Sequence, residues 1–132
     1  MKLIFFLLII LSTRAFSMEI SGNWQLSKVI CASGDAPLWN WEAWRILLKF
    51  ESPNYYTMIR QREEFTSFET GEYFDGDINQ VCFKNDFNFD IPKKCYDVLL
   101  EDRILQLGQY MQSDLDCGQG DYAIRYFSLQ NN

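Results

Sequence analysis

Four cysteines are the residues of this chain whose type and number most directly imply chemistry. They are Cys31, Cys82, Cys95 and Cys117. An even number of cysteines in a small exported domain predicts two disulfides, for which four cysteines allow three connectivities. A zinc site is the alternative, but zinc sites are built from C-x-x-C pairs and histidines, and the chain has neither. We therefore predict two disulfides and no metal site.

The remaining polar residues give little support for catalysis. The chain contains no histidine, which removes the usual general base and any Ser-His-Asp or Cys-His arrangement. Close pairs of carboxylates occur at Glu63-Glu64, Asp75-Gly76-Asp77 and Asp114-Leu115-Asp116. The second and third pairs lie in stretches typical of solvated turns. The sequence therefore predicts a protein that is not an enzyme and that needs no cofactor.

Residues 1–17 have the features of a secretory signal peptide. A lysine at the second position precedes a nine-residue apolar run, Leu3 to Leu11, and Ala15-Phe16-Ser17 offers small residues at a cleavage point. The run is far shorter than the roughly 20 residues that a membrane-spanning helix needs. We expect a mature domain of residues 18–132 that is secreted or periplasmic and has no membrane anchor.

Composition narrows the class of partner. The formal net charge of −6 argues against binding to nucleic acid or to anionic membranes. Aromatic residues make up 17% of the chain, so an acidic chain of this kind still has the apolar side chains needed for a core. The length fits one domain, and we expect a monomer.

Alternation of apolar and polar residues predicts short strands along most of the chain. The predicted strands are residues 18–31, 45–51, 55–62, 63–70, a short strand between Gly71 and Asp75, 81–91, 96–100, 104–110 and 121–129. Eight or nine strands with short connections predict an antiparallel meander, which must close or stack to hide its edges. We predict an all-β fold, an antiparallel up-and-down β-barrel of about eight strands, with a sandwich as the alternative.

Three tryptophans stand close together between the first two predicted strands, in a stretch that could hold one helical turn. They are Trp39, Trp41 and Trp44. Aromatic walls with few polar groups suit a ligand pocket, so these residues are candidates for its lid or mouth. They could instead cap a dry core, or form an exposed anchor for a protein or glycan. The sequence leaves these three alternatives open.

Barrel closure favours one pattern of disulfides. In an even-stranded meander the first and last strands are neighbours, and Cys31 ends the first strand while Cys117 precedes the last. We therefore prefer Cys31–Cys117 together with Cys82–Cys95, which would join neighbouring strands. If Cys31 and Cys117 are directly opposed, counting back along both strands places Trp24 opposite Ile124, with Arg125 beside it.

Gly22-x-Trp24 on the first strand, the meander and an arginine on the last strand resemble the lipocalins and, more broadly, the calycins. The similarity is greatest to short bacterial lipocalin-like domains that carry a cysteine before the final strand. The resemblance implies that Trp24 closes the barrel base and that Arg125 packs across it. Gly22 is the third predicted barrel-closing residue, because a glycine lets the backbone bend and approach a neighbour closely just before Trp24. It also implies a barrel that binds a small apolar or amphipathic ligand. The alternative is a non-enzymatic interaction or inhibitor module with a filled barrel core.

Overall fold

The computed structural model describes residues 20–86, 93–109, 116–118 and 120–131. The predicted signal peptide, residues 1–17, lies outside the described residues. So does the second half of the strand predicted over residues 81–91, beyond residue 86. The domain boundary after Ser17 therefore stays a prediction.

The described residues form a closed antiparallel barrel of eight strands, in which each strand pairs with the next and the last pairs with the first. The strands are β1 Gly22–Cys31, β2 Arg45–Glu51, β3 Tyr55–Arg62, β4 Phe65–Asp75, β5 Gln80–Asn85, β6 Lys94–Glu101, β7 Ile104–Gln109 and β8 Ala123–Leu129. The only helical element in the described chain is a single 3-10 turn, Trp41–Ala43, between β1 and β2. The predicted all-β up-and-down barrel is confirmed.

Tight turns at two hairpins favour this neighbour-to-neighbour pairing. Two residues connect β3 to β4 and two connect β6 to β7. The first residue of each connection, Glu63 and Asp102, adopts a positive φ of 53° and 52°. Two-residue turns with this backbone twist match the right-handed twist of the strands, so they hold the two hairpins in register.

The fourth and fifth predicted strands are a single strand, β4, because Gly71 does not end it. Gly71 pairs with Tyr56 of β3 and with Asn85 of β5. A Cβ atom at Gly71 would lie 2.0 Å from the carbonyl oxygen of Lys84 and 2.8 Å from Cε1 of Tyr56. The glycine thus marks a close approach of neighbouring groups inside a strand, where the sequence indicated a break.

Both preferred disulfides are present. Cys31 is bonded to Cys117 and Cys82 to Cys95. The second pair joins directly opposed residues of β5 and β6. The first joins the last residue of β1 to the turn that precedes β8, so it closes the barrel covalently where its first and last strands meet.

The register predicted for β1 and β8 is wrong. Trp24 lies opposite Leu129, and Arg125 lies opposite Val29, because Cys31 pairs with Ala123 while Cys117 reaches it from outside the strand. A β-bulge between Leu26 and Lys28 shifts the register by one further residue. The expected packing of Arg125 across Trp24 is therefore not formed, since the two residues lie toward opposite ends of the β1–β8 pair.

The barrel has two different ends. We call the end where β1 begins the base and the end where β1 finishes the mouth. Trp24 lies near the base, 3% exposed, and its indole Nε1 donates a 3.0 Å hydrogen bond to the carbonyl oxygen of Ser21. Gly22 stands beside it with a φ of +93°, where a side chain would be strained. The largest fully buried side chains of the interior are Tyr56, Phe127, Leu48 and Leu105.

Candidate ligand-binding site

The barrel encloses a cavity of about 570 Å³. Its apolar wall contains Leu26, Ile46, Leu48, Met58, Leu107 and Phe127, together with the rings of Tyr56, Phe83 and Tyr96. These residues share the inward face of their strands, because opposed residues of antiparallel strands point to the same side of a sheet. Leu48 faces Met58, for example, and both line the cavity. The strand alternation thus builds a continuous apolar chamber.

The polar part of the lining lies toward the mouth. Arg60 and Asn85 stand near the ends of β3 and β5, while Lys94 and Arg125 stand near the beginnings of β6 and β8. Odd-numbered strands run from base to mouth and even-numbered strands run back, so all four positions reach the same end of the barrel. The cavity is therefore graded from an apolar interior to a polar opening.

Three side chains of β3 and β4 form a hydrogen-bonded group in the cavity wall. Tyr56 donates its hydroxyl to Oε2 of Glu69 at 3.0 Å, and Arg60 Nη2 lies 3.4 Å from Oε1 of the same carboxylate. Burial of the Tyr56 ring raises the pKa of its hydroxyl well above the ordinary value of 10.0, and the charge and hydrogen bond of Glu69 raise it further. Tyr56 therefore stays a neutral donor, and both oxygens of Glu69 are engaged.

A second ion pair links the cavity wall to the mouth loop. Arg125 of β8 pairs with Asp116, whose side chain is about three-quarters buried. Asp116 precedes the disulfide-bonded Cys117, and its carbonyl oxygen accepts a 2.7 Å hydrogen bond from the backbone N–H of Leu38. The disulfide, the ion pair and this hydrogen bond together fix Asp116 and Cys117 against the end of β1 and the segment that carries the tryptophans.

The three candidate tryptophans do not share one position. Trp39 and Trp44 line the cavity, whereas Trp41 packs against the core from the 3-10 turn without lining it. Trp44 also contacts Phe65 edge to face, with ring centroids 5.8 Å apart, and the Arg62 guanidinium lies 5.8 Å from the Trp44 ring. Trp39 and Trp44 are therefore placed to control entry to the cavity through its mouth.

The polar residues of the cavity were not predicted from the sequence. Asp116 was assigned to a solvated loop, but its side chain is partly buried against Arg125. Arg60 and Glu69 were not identified, although a signal existed for Arg60, since it continues the inward alternation of Tyr56 and Met58 on β3. A polar residue at an inward-facing position of a strand is therefore the signal by which Arg60 could have been found.

Neither a metal centre nor a membrane helix emerges from the described residues. Among these residues, Cys31, Cys117 and Asp121 bring three potential metal ligands together, but the two sulfur atoms are bonded to each other. Asp121 is held instead by the hydroxyl and backbone N–H of Ser33, and the Ser33 hydroxyl lowers the pKa of this carboxylate. No helix in the described part of the chain is long and apolar enough to cross a membrane.

Comparison with known proteins identifies no homologue of this chain. No family model matches the chain, and neither curated proteins nor solved structures give a significant match. The resemblance to short lipocalin-like domains therefore stays a prediction from the sequence.

Proposed function

We propose that this protein is a lipocalin-like binding protein that holds one small amphipathic molecule inside the barrel. The observation that carries the proposal is the graded cavity, with apolar residues such as Met58 and Phe83 inside and charged residues such as Arg60 and Arg125 toward the mouth. The apolar body of a ligand would gain free energy by leaving water for the interior. Its polar group would stay among hydrogen-bonding side chains at the opening.

The size of the cavity supports this proposal. Pockets for small molecules typically enclose about 300–1,000 Å³, and the cavity of about 570 Å³ falls within that range. Its wall is largely aliphatic and aromatic, with a few polar groups that could orient a ligand. Trp39 and Trp44 would cover part of the bound molecule, whereas Trp41 would not touch it.

The two disulfides support an oxidising environment, because such bonds rarely persist in the cytosol. Together with the predicted leader, this favours a secreted or periplasmic protein. The absence of histidine from the sequence favours binding over catalysis.

A cavity-filling variant tests the proposal. Met58 lines the cavity, while its neighbour Ile59 points to the outside, opposite the 65%-exposed Phe68. We expect the oxidised wild-type domain to bind an environment-sensitive fluorescent fatty-acid probe. Met58→Trp should weaken that binding at least tenfold by occupying the cavity, and Ile59→Trp should leave it unchanged, with the fold of both variants checked by circular dichroism.

The outcomes of this experiment separate binding from its alternatives. Wild-type protein that takes up none of a broad panel of apolar and amphipathic probes would contradict the proposal. Equal binding by wild type and a folded Met58→Trp variant would place the probe outside the barrel. Native mass spectrometry of the purified protein provides an independent measurement, because a retained ligand adds a defined mass.

One observation favours an interaction module as a second candidate. Phe65 and Phe68 of β4 are 57% and 65% exposed, and Phe65 touches Trp44 near the mouth. Exposed aromatic residues of this kind are typical anchors of protein interfaces. The described barrel contains a cavity, however, so this candidate no longer requires a filled core. Loss of partner capture in Phe68→Ser, with unchanged probe binding, would support it.

A further inference from the structure

Charged groups around the mouth indicate what kind of ligand head group the cavity would accept. Among the described residues, the lining contains three bases and two acids. The bases are Arg60, Lys94 and Arg125, and the acids are Glu69 and Asp116. The described lining therefore carries one more base than acid, in a chain whose formal net charge is −6. A local charge opposite in sign to that of the whole chain suggests a specific electrostatic role.

Each of the two acids is already matched to a base within the wall. Glu69 receives Tyr56 on one oxygen and Arg60 on the other. Asp116 pairs with Arg125. A cationic ligand would have to compete with an existing partner for either carboxylate. The lining is therefore poorly suited to a positively charged head group.

Lys94 supplies the unmatched charge. It lies at the start of β6 opposite Phe83, and both residues line the cavity. Lys94 forms no ion pair with any residue of the described ranges. An ammonium group at the edge of an apolar chamber can attract an anion without first giving up a protein partner.

Trp39 adds a second donor at the same end. Its Nε1 is shielded from solvent and finds no hydrogen-bond acceptor among the described residues. A buried donor without a partner is unfavourable, and native structures contain few of them. An acceptor carried in by a ligand beside Trp39 would satisfy it, and an anion offers acceptors only.

We propose that the bound molecule is an amphipath with an anionic head group, such as a carboxylate or a sulfate, which lies at the mouth within reach of Lys94. This inference rests on the proposed function and specifies its ligand class. The alkyl or aromatic body lies among the apolar residues deeper in the barrel. Arg125, two strands away on β8, contributes further positive charge to the lining while it holds Asp116.

Four ligands with one chain length test the inference. Decanoate, decyl sulfate, decanol and decylamine would each displace a neutral fluorescent probe from the oxidised protein at pH 7. We expect both anions to bind roughly tenfold more tightly than decanol, which corresponds to about 1.4 kcal/mol. Decylamine should bind no more tightly than decanol.

Neighbouring lysines provide a matched pair of variants. Lys94→Gln should reduce the ratio of anion affinity to decanol affinity by about three- to fivefold, the effect of one partly exposed charge pair. Lys93→Gln should leave this ratio unchanged, because the Lys93 ammonium lies 5.4 Å from the Phe74 ring and Lys93 is not part of the lining.

The outcomes distinguish this inference from the proposed function. If all four molecules bind equally, or if decylamine binds most tightly, the cavity binds amphipaths and the anionic class is wrong. An anion preference that Lys94→Gln leaves intact would overturn the assignment of Lys94. If none of the four molecules binds and the neutral probe does not bind either, the proposed function itself fails.

Discussion

The hydroxyl of Tyr56 donates a 3.0 Å hydrogen bond to Glu69, which lies two residues before Gly71 on β4. Gly71 is the residue directly opposite Tyr56, and a Cβ atom there would lie 2.8 Å from the Tyr56 ring. Gly71 makes room for the ring, and the ring places its hydroxyl beside the carboxylate. The buried aromatic residue thus has a packing role and a polar role at once.

Tyr56→Phe should lower the free energy of unfolding by about 1–2 kcal/mol at neutral pH, because it removes a hydrogen bond to a charged group. The pKa of Tyr56 is raised in the folded protein from an ordinary value of 10.0. Above about pH 10 the unfolded chain releases this proton while the folded chain keeps it, so stability falls as pH rises. The advantage of wild type over Tyr56→Phe should therefore shrink above pH 10.

Urea unfolding of both proteins between pH 7 and pH 11 measures that difference. Tyr55→Phe is the control, because Tyr55 is 48% exposed. A difference between wild type and Tyr56→Phe that stays constant across this range would contradict the raised pKa.

Gly71→Ala should destabilise the fold by about 1–3 kcal/mol or more, as overpacking of a closed interior does. Its Cβ would lie 2.0 Å from a backbone oxygen that cannot rotate away. Gly108→Ala is the control, since the nearest atom to its Cβ is 4.0 Å away. Thermal unfolding should place Gly108→Ala close to wild type and Gly71→Ala well below it. Similar melting temperatures for the two variants would show that β3, β4 and β5 pack less closely at this point.

Trp24→Ala should cost about 3–5 kcal/mol, the usual effect of truncating a buried aromatic side chain. The indole is 3% exposed and its N–H is bonded to Ser21. Trp41→Ala should cost less, because Trp41 is only partly buried. Denaturant unfolding of both variants gives the comparison. A Trp24→Ala protein that melts within a few degrees of wild type would show that Trp24 does not close the base.

Removal of the two disulfides should have unequal effects. Cys31 and Cys117 are 86 residues apart, and Cys82 and Cys95 are 13 apart. In the loop-entropy model these separations correspond to about 4.5 and about 3 kcal/mol. The double variant Cys31→Ala/Cys117→Ala should therefore unfold at the lower urea concentration. The opposite order would show that effects in the folded state outweigh the length of the closed loop.

Alanine at Trp39 or Trp44 should weaken ligand binding, because both residues line the cavity at its mouth. Trp41→Ala should leave binding within about twofold of wild type, since Trp41 lies outside the lining. Titration with the fluorescent probe measures the dissociation constants, and melting temperatures show whether each variant is folded. Equal weakening by all three substitutions would mean that the segment acts through its fold and not through contact with the ligand.

The fold followed from the sequence because its signals are local. Ile46, Leu48 and Phe50 alternate with polar residues, and β2 has this inward and outward pattern. The disulfides followed from an equally simple constraint, since a closed meander brings the first strand to the last. Such arguments need only the order of strands and the side on which each residue lies.

The cavity could not be predicted to the same extent, because it depends on side chains that are distant in sequence. Asp116, for example, meets Arg125 beside Cys117, which is bonded to Cys31 at the end of β1, 86 residues earlier in the chain. The register of β1 and β8 depends on a bulge, and no residue near Lys28 has a type that reveals one. The observed site therefore differs from the predicted one because strand register and loop conformation depend on residues that are far apart in the sequence.

The bulge in β1 determines which side chains belong to the inside of the barrel. Before it, the buried residues are Trp24 and Leu26; after it, they are Val29 and Cys31. Ser27, the extra residue, bonds its hydroxyl to the carbonyl oxygen of Tyr126. A strand of the same ten residues without the bulge would alternate strictly, turn Lys28 and Ile30 inward and carry the Cys31 thiol to the outer face. The one extra residue therefore keeps Val29 and Cys31 on the inner face of the second half of β1.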